Sequence, residues 1–140
     1  MEKRPFEILE HPADIGFRAY GGTREELFEN AALALFSLTC ELGAVEERES
    51  REIETTGSDN ETLLYAWLAE LLAVAEAERL VFRRADVTAL EPNRVHGTAY
   101  GEPFDRARHE MGTHIKAVTF HQLFVEQSAE GWRAQVFVDL

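Results

Sequence analysis

The stretch VFRRADVTALEPNRVHGTAY, Val81 to Tyr100, decides how this chain is put together. Val81 to Leu90 and Val95 to Tyr100 are both rich in strand-forming residues, and Glu91-Pro-Asn-Arg94 separates them. Proline presets the φ of a turn and asparagine tolerates a left-handed residue, so the four-residue insert reads as a hairpin turn. Strands joined by a tight turn pair antiparallel, with no room for a crossover helix. Toward the carboxyl end the pattern repeats: Val118 to Glu126 and Trp132 to Val138 flank Gln127 to Gly131. The sheet is therefore expected to be mainly antiparallel.

Toward the amino end the chain alternates short strands with helices. Phe6 to Leu9 and Asp14 to Tyr20 read as strands, the second closed by Gly21–Gly22. Thr23-Arg-Glu-Glu26 has the form of a capping box, in which threonine and glutamate satisfy each other's exposed backbone donors. Leu27, Phe28, Ala31, Ala32, Leu35 and Phe36 then give a wide helical apolar face. That helix is expected from about Arg24 to Leu42, stopped by Gly43. REIETT, ending at Thr56, reads as an exposed strand, and Ser58-Asp-Asn-Glu61 as a second capping box. Leu63, Leu64, Trp67, Leu68, Leu71 and Leu72 repeat the paired spacing. A strand–helix duplication and a chance recurrence of a common spacing both account for that likeness. The predicted fold is α+β: a mainly antiparallel sheet with two amphipathic helices packed on one face, in a single domain spanning residues 1–140.

Charge narrows the functional classes. Fourteen basic against 26 acidic residues give a net charge of −12, which repels a polyanion and argues against direct, tight nucleic-acid binding. Such a chain suits cations or a basic partner surface. No apolar run approaches the roughly 18 residues of a membrane span, and no apolar segment follows the basic residues of MEKRPFEILEHP. A single cysteine, Cys40, forms no internal disulfide and falls in a helical pattern as a buried thiol. These features predict a cytoplasmic protein with no membrane association.

Several residues are candidates for chemistry. Asp14 sits at the mouth of a strand whose next alternate residues, Ile15, Phe17 and Ala19, look built for a core. It reads either as a turn residue or as one wall of a site. At the other end, WRAQVFVDL runs apolar almost to its close, putting Asp139 and the terminal carboxylate of Leu140 at a strand tip. That tip is either frayed in water or held at a sheet edge, where two or three oxygens suit a hard cation such as Ca²⁺ or Mg²⁺ better than zinc. Lys116 either lays its stem along the surface or points into an anionic cleft. His109, His114 and His121 match no zinc spacing; the first two read as loop histidines in water and His121 as a core histidine on Leu123's face. No GxSxG, phosphate loop or HExxH is present.

Taken together, HPADIGFRAYG, GTHIKAVTFHQL and FVDL resemble the archease family, whose usual forms are close to H-T-A-D-I-G, I-K-A-V-T-Y-H and a terminal aspartate plus aliphatic residue. GEPFD, Gly101 to Asp105, and the LLYAWLAELL helix also fit. The departures are Pro12 for threonine, Phe120 for tyrosine and Leu140 for isoleucine. The resemblance implies a compact α+β domain that is not an enzyme. It implies a partner of the GTP-dependent RNA-splicing ligase of the RtcB type, promoting that ligase's guanylylation and multiple turnover in tRNA splicing. It implies a divalent cation, Ca²⁺ first with Mg²⁺ or Mn²⁺ as options, on Asp14, Asp139 and Leu140, and a role for Lys116 in partner activation. Two rival readings remain: a metal-dependent phosphoesterase with His11 as nearest general base, and a chaperone-like interaction module.

Overall fold

A computed structural model describes residues 4–10 and 14–140. Eight strands and two helices follow the order β1 (Phe6–Glu10), β2 (Ile15–Gly21), α1 (Arg24–Thr39), β3 (Glu49–Thr56), α2 (Asn60–Glu78), β4 (Leu80–Leu90), β5 (Arg94–Pro103), β6 (Ala117–Val118), β7 (Phe124–Ser128) and β8 (Gly131–Asp139). The class is α+β with every strand pair antiparallel.

The strands divide between two sheets. One runs β1-β2-β8, with β6 and β7 both pairing along the far side of β8; the other runs β3-β5-β4. The β4–β5 hairpin is the predicted one, closed by Glu91 N–H donating to the Arg94 carbonyl at 2.8 Å. Both helices face both sheets: α1 packs chiefly on β2 and β4, and α2 on β3, β4, β5 and β6. The apolar stripes read from the sequence supply this core, with Leu27, Phe28, Leu35, Leu63, Leu64, Trp67, Leu68 and Leu71 all at 1% exposure or less. At its centre the Trp67 indole N–H donates to the Phe28 carbonyl at 3.1 Å, which satisfies the one polar atom of a buried ring. Gly97 makes room for that ring. A Cβ there would stand 2.7 Å from the indole edge and 2.4 Å from the Asp86 carbonyl.

Local detail departs from expectation where the backbone found other partners. Thr23 caps α1, but Glu26 reaches back to the Gly22 N–H at 2.8 Å instead of that of Thr23. The second capping box is displaced by one residue, to Asp59 and Thr62. Helix α1 ends at Thr39, not Leu42, because Cys40 turns extended and bridges to Met111. Gly43 lies in a 3₁₀ turn, Leu42–Ala44. Cys40 is buried as expected, at a helix end, and burial raises its thiol pKa. Among the described residues, no helix is long and apolar enough to cross a membrane.

Candidate functional site

The pairing of β2 with β8 sets Ile15 against Val138, Phe17 against Val136 and Ala19 against Ala134. One step beyond the Ile15–Val138 pair stand Asp14 on one strand and Asp139 on the other. On the opposite side of β8, β6 places Ala117 against Asp139, and the Lys116 N–H donates to the Asp139 carbonyl at 2.8 Å. Three distant parts of the sequence therefore end at one corner of the sheet, bringing Asp14, Lys116, Asp139 and Leu140 into one neighbourhood. All four are exposed. Among the described residues, no hydrogen bond or ion pair occupies the two carboxylates or the Lys116 ammonium.

The corner is braced from the outer face of the sheet. Alternation along β8 sends Val136 and Val138 to the core and Phe137 and Asp139 outward. The Phe137 ring crosses Gly16, where a Cβ would stand 2.7 Å from Phe137 Cδ1 and 2.3 Å from the Val136 carbonyl. The glycine two residues after Asp14 is thus dictated by a cross-strand ring and carbonyl. His121 lies against the same ring, centroids 5.7 Å apart. It stands in a turn, not on a strand, because the expected strand from Val118 to Glu126 is broken. Thr119 Oγ1 donates to the Phe137 carbonyl at 3.0 Å and accepts from the His121 N–H at 3.2 Å. Leu123 N–H donates to the Phe120 carbonyl at 3.1 Å, and Gln122 takes a φ of 52°. His121 is exposed rather than a core histidine.

A second set of charged groups lies apart from this corner. Glu102 is fully buried on β5, and its carboxylate is saturated. Arg108 donates through both Nη atoms, at 2.8 and 2.9 Å, the Glu46 N–H donates at 2.8 Å, and His109 Nε2 lies at 2.9 Å. Because the Asp105 N–H points at His109 Nδ1, at 2.9 Å, that nitrogen accepts and Nε2 carries the proton donated to Glu102. The paired Arg108 hydrogen bonds, opposed by burial, hold the Glu102 carboxyl well below the usual carboxylate range. His109, expected in water, is 3% exposed. His114 is exposed, as its loop reading had it.

A model of the Archease protein family matches residues 6–140. The chain belongs to the archease family. Protein archease of Methanosarcina acetivorans is 43% identical over 141 residues, covering 98% of this chain and 97% of that protein. The archease of Pyrococcus abyssi is 41% identical over 139 residues, covering 96% and 98%. The solution structure of protein 1598 of Methanobacterium thermoautotrophicum superposes with a TM-score of 0.82 at 38% identity, over 97% of this chain and 99% of that one. An archease from Thermotoga maritima, described as a possible chaperone, shares the fold with a TM-score of 0.66 at 23% identity.

Within this archease fold the four residues singled out from the sequence meet at one corner. His11 and Pro12 lie outside the described residues. Among the described residues, no three His, Cys, Asp or Glu side chains are grouped to hold a metal ion. The corner brings two side-chain carboxylates, Asp14 and Asp139, together with Leu140. Sequence reading passed over the Glu102–Arg108–His109 cluster. Its one local signal was a glutamate in strand β5 with the parity of His96 and Tyr100, burying a charge that later residues neutralise.

Proposed function

We propose that this chain is a non-enzymatic activator of the GTP-dependent RNA-splicing ligase of the RtcB type, promoting its guanylylation and repeated turnover in tRNA splicing. One observation carries the reading: β2 opens, β6 opens and β8 closes at the same sheet corner, with acids at two of these ends and a lysine at the third that have no partner among the described residues. Three hard oxygen groups suit Ca²⁺, with Mg²⁺ and Mn²⁺ as options, and fall short of the roughly six to eight oxygens calcium takes. The remaining positions fall to water or to groups of the partner. Asp14, Asp139 and the Leu140 terminal carboxylate hold the cation in this reading. When bound, the cation supplies positive charge for neutralising phosphate oxygens. Lys116 orients a phosphate or carboxylate presented by the ligase.

Electrostatics favours the encounter. A ligase that handles metal ions, GTP and RNA phosphates needs an electropositive entrance, and a domain of net charge −12 is steered toward it, mainly raising the association rate. The same charge keeps the chain itself off RNA, so the nucleic acid is contacted by the partner. The test is ligase self-guanylylation at limiting ligase, with and without this chain. The wild type should stimulate it, and Asp14→Ala, with an unchanged melting temperature, should not. Equal stimulation by a folded Asp14→Ala rejects the role. Phosphate-ester turnover by the chain alone would move the reading to a hydrolase.

A further inference from the structure

Four large apolar side chains are exposed among the described residues: Ile8, Met111, Phe120 and Leu140, the last two at 55% and 56%. Phe120 and Leu140 bracket the acidic corner. Ala117 is opposite Asp139, Phe120 comes two residues after the end of β6 at Val118, and Leu140 is the residue next to Asp139. Both apolar groups therefore belong to the chain segments whose ends form the acidic corner.

Phe120 is held in place rather than left loose. Its ring stacks on Tyr65 of α2 with centroids 4.2 Å apart and planes 19° from parallel, and Tyr65 is itself half-buried. The turn that presents it is fixed by the Thr119 hydroxyl, the Phe120–Leu123 hydrogen bond and the positive φ of Gln122. Gln135 reinforces it, donating to the Gln122 carbonyl at 3.0 Å. A non-glycine residue in the left-handed region is uncommon, and here it keeps a phenyl ring in water that a plain strand would pair or bury.

We propose that Phe120, backed by Tyr65, and Leu140 are the apolar anchors with which the acidic corner docks on a protein partner. The fitting surface is electropositive and carries a recess for an aromatic ring beside the charged region. The inference rests on the function proposed above, so the partner is the ligase. Rigid aromatic groups in the middle of a contact carry most of its energy, while charged groups around them set rate and register. An exposed stacked ring also suits a nucleobase. Glu61 lies one helical turn from Tyr65, Asp14 and Asp139 stand at the corner where β6 begins, and the net charge is −12, all of which repel a phosphate backbone. The protein partner is therefore the occupant these groups favour.

The experiment titrates the full-length chain into ligase self-guanylylation and reads half-saturating concentration and plateau separately. Phe120→Ala should raise the half-saturating concentration about 10- to 30-fold while leaving the plateau and the melting temperature unchanged. Phe120→Tyr, which keeps the ring, should match the wild type. Leu140→Ser, which keeps the terminal carboxylate, should shift the concentration in the same direction by less. Lys116→Ala should instead lower the plateau. Unchanged half-saturation in both folded Phe120→Ala and Leu140→Ser overturns the anchors while leaving the activator reading intact. A wild type that binds ligase in sedimentation but never stimulates it sinks the activator reading; loss of that binding in Phe120→Ala then still supports the anchors. Absence of any ligase binding by the wild type overturns both. Binding of single-stranded RNA in the absence of ligase, lost in Phe120→Ala, identifies a nucleobase platform and overturns protein docking.

Discussion

Glu102 and the pair Asp14–Asp139 are all carboxylates at sheet positions, yet they could hardly be more differently treated. Glu102 has no exposed surface and receives donors from Arg108, His109 and the Glu46 backbone. Asp14 and Asp139 stand in water with none of these among the described residues. A buried charge survives only when its lone pairs are filled from within the chain, so Glu102 has nothing left to offer a ligand. The corner acids keep their acceptor capacity, and a cation or a partner has something to take. A saturated carboxylate holds structure, and an unsaturated one is available for function.

The largest expected effect breaks the buried side of that contrast. Glu102→Ala leaves Arg108 and the Glu46 N–H without their acceptor and should cost about 3–5 kcal/mol in denaturant unfolding, the scale for removing one partner of a buried ion pair. A loss near zero would mean that the cluster is ornamental. At the exposed corner the stake is a ligand. With Ca²⁺ at a hundred times its dissociation constant, linkage predicts a gain of about 2.7 kcal/mol in the wild type and in Glu102→Gln, and none in an Asp14→Asn, Asp139→Asn double variant. Equal gains in all three would place the cation elsewhere.

A smaller effect concerns acid. The folded Glu102 carboxyl titrates well below its ordinary range, whereas the unfolded chain takes up that proton near pH 4.3. Its stabilisation is therefore complete above that value and is lost progressively as pH falls below it. Unfolding midpoints measured from pH 6 to pH 3 should fall more steeply for the wild type than for Glu102→Gln. The smallest effect is expected from Asp14→Asn without cation: an unchanged melting temperature, since no partner among the described residues is lost. A clear destabilisation there would show that the corner acids are structural after all.

Most of the element order could be read from local patterns, because capping, helical periodicity and turn chemistry act over a few neighbours. Leu63 through Leu72 named the buried stripe of α2, and Glu91-Pro-Asn-Arg94 named the hairpin. The break after Val118 was hidden, since the group that holds Thr119, through both its hydroxyl and its backbone N–H, is the Phe137 carbonyl, eighteen residues on. His109 was misread for a different reason. Glu102 and Asp105 are seven and four residues away, but no spacing rule shows that the chain after β5 folds back to put one beneath it and the other beside it. At the corner, Asp14, Lys116, Asp139 and Leu140 each stood out locally as candidates and the family resemblance joined them in one site, but neither showed the strand pairing that makes them meet.

By itself the sequence determined most of the helices and strands, which helix faces turn inward, and that the surface is strongly acidic, because these follow from periodicity and composition. Tertiary pairing decided the rest. β8 lies between β2 and β6, and that placement carries Asp139 and Lys116 to the end of the sheet where the fourteenth residue stands. The physical reason is that strand order and register are settled by contacts between residues far apart in the chain, and no local pattern encodes a neighbour more than a hundred positions away.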